Sequence, residues 1–459
     1  MHDVGDLARR TFALAVLCGS QLMVILDGTI VNVALPTIRE QLGFSSTGLS
    51  WVVNGFFVAF AGLLLLFGRL GDVLGQRRVF VSGLVVFALA SVWCGLAGSP
   101  AALVTGRFVQ GAGSAMASAV VLGMIARLYA DRRAQAHAFA VFAFVGSVGA
   151  SIGVIAGGLL TELVSWRWVF LVNVPLGLVL VPAALRILPG DSRSRGREHV
   201  DVVGAVTGTG GLMLLVYAVT QVTVRGWTSL VVLLSLGLAG VLLAAFVVRQ
   251  RTAAEPLVPP TLFAVRRFST ANAVLFTMTV AGFSFQFLSA LALQDQMGLS
   301  PLRTGLAYLP VTLSIAVASL VLSDRLARRI GQERVLVWGL VLFVAGLLLL
   351  AALPPEPAFL TDAAPAFVLM GTGFGLAMPQ VTSIAMANAV PEHAGAVSGV
   401  VNTTQQVGGA LGLGVVSSVA ALSGLGAGFL TAAAVLAVGA VIASRLVPRG
   451  AVVESCPSS

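Results

Sequence analysis

The residues that could do chemistry in this chain are few, and they stand where charge is costly. Asp27 lies in Leu26-Asp27-Gly28-Thr29-Ile30-Val31-Asn32-Val33-Ala34-Leu35-Pro36, at the end of the first long apolar run. A carboxylate at bilayer depth costs roughly 2.5 to 3.5 kcal/mol on insertion scales, so an intramembrane Asp is a functional candidate by default; the alternative is a helix-end acid reaching the interface. A second charge, Arg107, opens Arg107-Phe108-Val109-Gln110-Gly111-Ala112-Gly113-Ser114. On a helix Arg107, Gln110, Gly111 and Ser114 share one face, and that face must look into protein because a lipid-facing Arg is costly. At about 1.5 Å per residue, Asp27 before Leu35 and Arg107 after Ala101 both lie roughly 10 to 12 Å below the same boundary, close enough to pair directly or through water. Such a pair can alternate between an ion pair and a protonated acid as hydration or substrate occupancy changes; the alternative is a permanent structural ion pair.

The elements that must position these charges are membrane helices. Of 459 residues, 58% are hydrophobic and 10% charged, with a mean hydropathy of +0.99, against about 25% charged in soluble domains. Apolar runs of spanning length follow one another from Phe12 onward, and backbone at that depth must be helical. Fourteen spans are expected, beginning with Phe12 to Leu35 and ending with Gly426 to Leu446. The net charge of +9 comes from 27 arginines and no lysine. Threading the spans with the N-terminus inside leaves only Arg39, Arg167, Arg225 and Arg303 outside and Arg107 within a span. That distribution predicts a cytoplasmic N-terminus and, with an even span count, a cytoplasmic C-terminus; it argues against nucleic acid as the partner of the positive charge.

A repeat organises the spans. Arg69-Leu70-Gly71-Asp72-Val73-Leu74-Gly75-Gln76-Arg77-Arg78-Val79 aligns without gaps with Arg325-Leu326-Ala327-Arg328-Arg329-Ile330-Gly331-Gln332-Glu333-Arg334-Val335, each after the second span of a six-span block. The expected organisation is a tail at 1–11, a six-helix half at 12–188, an inserted helix pair with its loops at 189–267, a second half at 268–446 and a tail at 447–459. Asp72 among Arg69, Arg77 and Arg78 can form ion pairs and cap a neighbouring helix N-terminus, a latch on one conformation. Arg328 at the matching position makes any such latch asymmetric; a merely topology-setting basic loop is the alternative.

These residues resemble a known family. Gly68-Arg69-Leu70-Gly71-Asp72-Val73-Leu74-Gly75-Gln76-Arg77-Arg78 is similar to the loop signature of the major facilitator superfamily. The stretch from Leu26 to Pro36, and Trp166-Arg167-Trp168-Val169-Phe170 with Asn173-Val174-Pro175, resemble its fourteen-span drug/proton antiporter branch. The resemblance implies an all-α polytopic membrane protein with the major facilitator fold, two six-helix halves plus two inserted helices. It also implies that Arg107 assists proton transfer. Gly146, Gly149, Gly153, Gly157 and Gly158 in the fifth span resemble the exporters' glycine signature, with Val154 where a proline is usual; the spacing of 149, 153 and 157 equally suits close helix packing.

For substrate, lone amides in spans point to a cavity: Asn32, Asn54, Gln110 and, in a ninth span that also carries four Phe and Met278, Gln286. Glu162 and Asp295 fall near span ends and read as interfacial. Cys18, Cys94 and Cys456 are too scattered for a disulfide framework, and His2, His137, His199 and His393 join no metal-ligand spacing, so no metal is expected. The lack of lysine excludes a Gly-x-x-x-x-Gly-Lys-Ser/Thr phosphate loop and with it direct ATP drive. The reading is a monomeric, cofactor-free exporter of amphipathic molecules in the cytoplasmic membrane, driven by protons; an uptake symporter or facilitator on the same fold is the alternative, and an enzyme is not expected.

Overall fold

The computed structural model describes residues 2–129, 131–191, 201–299, 301–387 and 394–446. The expected tail 447–459, the side chains of Asn32 and Val154, and the surroundings of Gly158 lie outside the described residues. Among the described residues the ordered elements are helices, with no strand. In order they are α1 (His2–Leu42), α2 (Ser46–Leu74), α3 (Gln76–Gly95), α4 (Pro100–Leu128), α5 (Arg132–Leu163), α6 (Trp168–Leu171) and α7 (Asn173–Ile187). Then come α8 (Val202–Arg225) and α9 (Leu230–Thr252), followed by α10 (Thr261–Ala264), α11 (Arg266–Leu291), α12 (Pro301–Ala307), α13 (Leu309–Val317), α14 (Ser323–Ile330), α15 (Gln332–Ala351), α16 (Ala364–Met386), α17 (Ala394–Ser423) and α18 (Leu425–Ser444). Thirteen stretches among the described residues are long and apolar enough to cross a membrane, and α5, 32 residues long, adds a helix of spanning length between the fourth and fifth of them.

Two boundaries differ from the sequence reading. α1 does not stop at Leu35 but runs through Pro36 to Leu42. Ile38 is buried with Trp166 and Phe170, and the Trp166 indole donates to Gln41 Oε1 at 2.8 Å, so packing holds the extra turns. The tenth span is not one helix: a π-helical turn at Ala318–Leu322 separates α13 from α14. Similar turns follow α11 at Ala292–Gln296 and precede α16 at Phe359–Ala363. A single inserted residue leaves hydropathy unchanged, which is why such turns are invisible in the sequence.

The start of α1 lies beside the ends of α4 and α7: Arg9 Nε donates to the Ile187 carbonyl at 3.4 Å and Tyr129 OH to the Arg10 carbonyl at 3.3 Å. We call this end the arginine-rich face. Within the first part of the chain α1 packs on α5 and α7, and α4 packs on α2 and α3. In the last part α16 packs on α13 and α15, and α11 on α17 and α18. The two sets meet where α2 and α4 touch α17 and where α5 touches α16. The repeat is visible in the backbone: Gly75 (φ 102°) and Gly331 (φ 90°) make the same turn, a conformation that L side chains resist. A Cβ on Gly83 would stand 2.8 Å from the Gly113 carbonyl oxygen, and one on Gly339 would stand 2.8 Å from that of Gly373.

The glycines of α5 face α1, the helix that carries Asp27. A Cβ on Gly157 would stand 2.7 Å from the backbone oxygen of Ile30, one on Gly153 would strike Thr29 Oγ1, and one on Gly146 would meet only the tip of Ile25 at 3.1 Å. Close approach of this kind is how helices associate where no water drives them together. Thermal unfolding of the detergent-purified protein should therefore rank the sites. Gly157→Ala, which must push backbone, is expected to destabilise by about 1 to 3 kcal/mol, whereas Gly146→Ala, which displaces a flexible methyl, should be close to neutral.

Candidate functional site

Asp27 and Arg107 are both fully buried, and Arg107 Nη1 donates to Asp27 Oδ2 at 2.5 Å. Although α1 continues past Leu35 to Leu42, Asp27 and Arg107 lie at the same level, because α1 and α4 run side by side there. The second carboxylate oxygen, Oδ1, accepts from Gln110 Nε2 at 2.7 Å and from Asn173 Nδ2 at 2.9 Å. Gln110 also accepts from Arg107 Nη1 (2.6 Å) and donates to Ser91 Oγ (2.9 Å). Arg107 Nε donates to the Val52 carbonyl at 2.8 Å, and its guanidinium carbon lies 4.5 Å from the Phe56 ring centre and 5.6 Å from that of Phe170. Five spanning segments thus supply α1's acid, α2's carbonyl and ring, α3's hydroxyl, α4's base and amide, and the Phe170 and Asn173 of α6 and α7.

Local sequence explains the convergence. Arg107 and Gln110 are three residues apart on α4 and point together. Trp166, Phe170 and Asn173 recur at four and three, so one side of that segment anchors Gln41, backs the guanidinium and bonds the acid. Asn173 has no spacing of its own to mark it; its role is set by a contact 146 residues away in sequence. Ser91 and the Val52 carbonyl carried no signal. Gln110, expected to line the substrate cavity, is fully buried and spends its amide inside this network, because its length bridges Arg107 and Asp27. Asn54 is half-buried on α2 and Gln286 is exposed on α11; neither joins the Asp27 cluster. Three buried polar atoms of the site, Arg107 Nη2, Asn173 Oδ1 and Ser114 Oγ, have no hydrogen-bond partner among the described residues.

The loop residues form a second locus at the arginine-rich face. Asp72 Oδ1 and Oδ2 accept the backbone N–H groups of Gly395 and Ala396 at 2.7 and 2.8 Å, capping the first turn of α17, where the helix dipole favours an anion. Gly68 makes the approach possible: a Cβ there would stand 2.6 Å from the Gly395 oxygen. Arg69 lies 4.0 Å from Glu255, in the segment after α9. Gly75 leaves room for the Asp191 carboxylate, which accepts from the backbone N–H groups of Arg77 (2.9 Å) and Arg78 (3.2 Å) and so caps α3; the Arg77 side chain donates to the Leu185 carbonyl. Asp191 was missed in the sequence because it stands in a loop with no spacing to mark it. In the second copy Arg328 pairs with Asp324 on its own helix at 3.3 Å. Beyond the spans, burial pushes the Asp201 carboxyl up, but the Gly204 amide, Arg249 and Gln250 outweigh it and hold it below the ordinary value, so that it caps α8 and ties it to α9.

A polytopic helical bundle with a charge network enclosed among its spans is the pattern of a membrane protein with a functional polar site at depth. The chain belongs to the Major Facilitator Superfamily, which it matches over residues 17–413. It is 38% identical over 413 residues to the puromycin resistance protein pur8 of Streptomyces alboniger, covering 90% of this chain and 82% of the relative. The cephamycin export protein CmcT of Amycolatopsis lactamdurans is also 38% identical, over 89% of this chain and 85% of its own. The methylenomycin A resistance protein of Bacillus subtilis is 32% identical, over 91% and 89%. Among solved structures, the human organic anion transporter MFSD10 superposes with a TM-score of 0.70 at 18% identity, over 95% of this chain and 99% of that one, a likeness of fold.

Removing one member of a buried charge pair costs more than removing a neutral partner. Asp27→Ala, which strands the guanidinium, should destabilise by about 3 to 5 kcal/mol, and the double variant Asp27→Leu with Arg107→Leu should recover part of that loss. Asn173→Ala should cost about 1.5 to 3 kcal/mol, the range for a hydrogen bond to a charged group. Thermal unfolding in one detergent checks the order.

Proposed function

We propose that the protein exports antibiotics or similar amphipathic molecules across the cytoplasmic membrane in exchange for protons, acting as a monomer without a cofactor, with both termini cytoplasmic. The observation that carries this reading is the Asp27 carboxylate: fully buried, bound to one cation and two amides. Every one of those partners can rearrange when a proton arrives. Protonated Asp27 becomes a donor, and Asn173 Oδ1, which has no other partner among the described residues, can accept from it once the amide turns. Arg107 then loses its counter-charge and keeps the Gln110 and Val52 oxygens and the two ring faces. The two protonation states thus differ in which helices are tied to α1, and a proton can bias one conformation against the other. The relatives named for resistance and export favour outward movement of drugs over the uptake alternative. Capping of α17 by Asp72 holds the arginine-rich face closed, on this reading the cytoplasmic gate.

Expression in an exporter-deficient bacterial strain tests direction and coupling together. The wild type should raise tolerance to several amphipathic antibiotics at least fourfold, and both Asp27→Asn and collapse of the proton gradient should abolish the gain. Increased sensitivity would instead favour uptake, and full tolerance with Asp27→Asn would refute the proton role.

A further inference from the structure

The inserted helix α8 is seated between the two sets of helices. Near the arginine-rich face α2 and α17 touch backbone to backbone at Gly68 and Gly395. Farther along, α8 lies between them. Met213 covers Gly62, Val216 joins Val58 and Ala61 with Ala410 alongside, Val219 covers Gly414, and Trp227 Nε1 donates to Ser418 Oγ at 2.8 Å. On this wedge three rings from three helices meet. Trp51 of α2 stacks on Phe108 of α4 (6.0 Å between centres, 30° between planes) and on Tyr217 of α8 (5.4 Å, 22°). Beside the stack a groove of about 680 Å³ opens, lined by Phe44, Gly48, Trp51, Pro100, Val104 and Phe108 among others.

We propose that this groove, with the Trp51 and Phe108 rings that line it, forms a substrate subsite for flat aromatic amphipaths. Its lining is apolar with few polar groups, as ligand sites are, and it stands open, so a flat ligand would lie against it with one face uncovered. No charged side chain lines it among the described residues, so discrimination rests on ring faces, which bind flat rings by offset stacking and cations through the quadrupole. Both lining rings are only partly buried, and the Trp51 indole has no hydrogen-bond partner among the described residues, leaving one donor for a ligand's polar edge. Aromatic residues also line membrane interfaces one by one; here nearly parallel rings converge from separate helices on a groove. Phe108 is the neighbour of Arg107 on α4, so a ligand on the stack presses on the helix that holds the proton network. Tyr217 of the inserted pair stacks on Trp51 and so helps to hold the ring that faces the groove. The proposal rests on the efflux reading only for the physiological cargo.

Equilibrium binding to the purified full chain in lipid nanodiscs separates the two claims. The probes are ethidium, a planar aromatic cation, and dodecyltrimethylammonium, a ring-free amphipath of the same charge. Trp51→Leu should weaken ethidium binding about five- to tenfold while changing dodecyltrimethylammonium less than twofold, and Trp227→Leu, away from the groove, should change both less than twofold. Unchanged ethidium affinity in Trp51→Leu, as when lipid holds the groove, would overturn the subsite. So would equal loss of both probes, or no binding of ethidium by the wild type. Binding that behaves as expected in a protein that exports nothing would refute the efflux reading alone.

Discussion

A carboxylate with no exposed surface has to have its lone pairs answered from within the protein, and most of this architecture around Asp27 follows from that constraint. Its two oxygens are met by Arg107, Gln110 and Asn173, and those groups are held by α4 and α7. The guanidinium in turn needs acceptors and finds the Val52 carbonyl and Gln110, with Phe56 and Phe170 supplying ring faces. The glycines of α5 bring that helix within backbone distance of α1 on the side away from the acid. A buried ion pair is weak evidence for stability, because desolvation can exceed the attraction between the charges. On the proposed function, a site kept in this form, with three polar atoms that have no partner among the described residues, serves a change of protonation rather than strength.

The repeat shows how one half was specialised. Gly111 lies against the Phe56 backbone and Gly371 against that of Val311, so Phe367 stands in the second copy where Arg107 stands in the first. Phe367 is packed among Phe285, Tyr308 and Phe359, at 5.2 to 6.0 Å between ring centres. One copy therefore encloses charge and the other encloses rings. The loops follow the same division: Asp72 reaches across to α17, while Arg328 is satisfied on its own helix.

How much was legible in the sequence depended on the kind of signal. Spans, their number and the arginine asymmetry are properties of composition, and hydrocarbon leaves the backbone little choice but helix. Asp27, Arg107 and Gln110 stood out because charge and amides are rare at depth. Asn173 and Ser91 did not, since a small polar side chain becomes a partner only through contacts far apart in sequence. Asp191 and the three π-helical turns were hidden for the same reason: capping and helix register depend on the packed neighbour. The seating of α8 between α2 and α17 could not be read from a helix whose apolar residues are spread round every side.

The central claim is that Asp27 changes protonation state while buried, and infrared difference spectroscopy of the purified protein across a pH titration tests it without knowledge of the substrate. The account predicts a carboxylic acid carbonyl band that grows as pH falls, is absent in Asp27→Asn, and responds in Asn173→Ala because that amide touches the same oxygen. A wild type whose titration spectrum matches that of Asp27→Asn throughout would show a permanent ion pair and contradict the account.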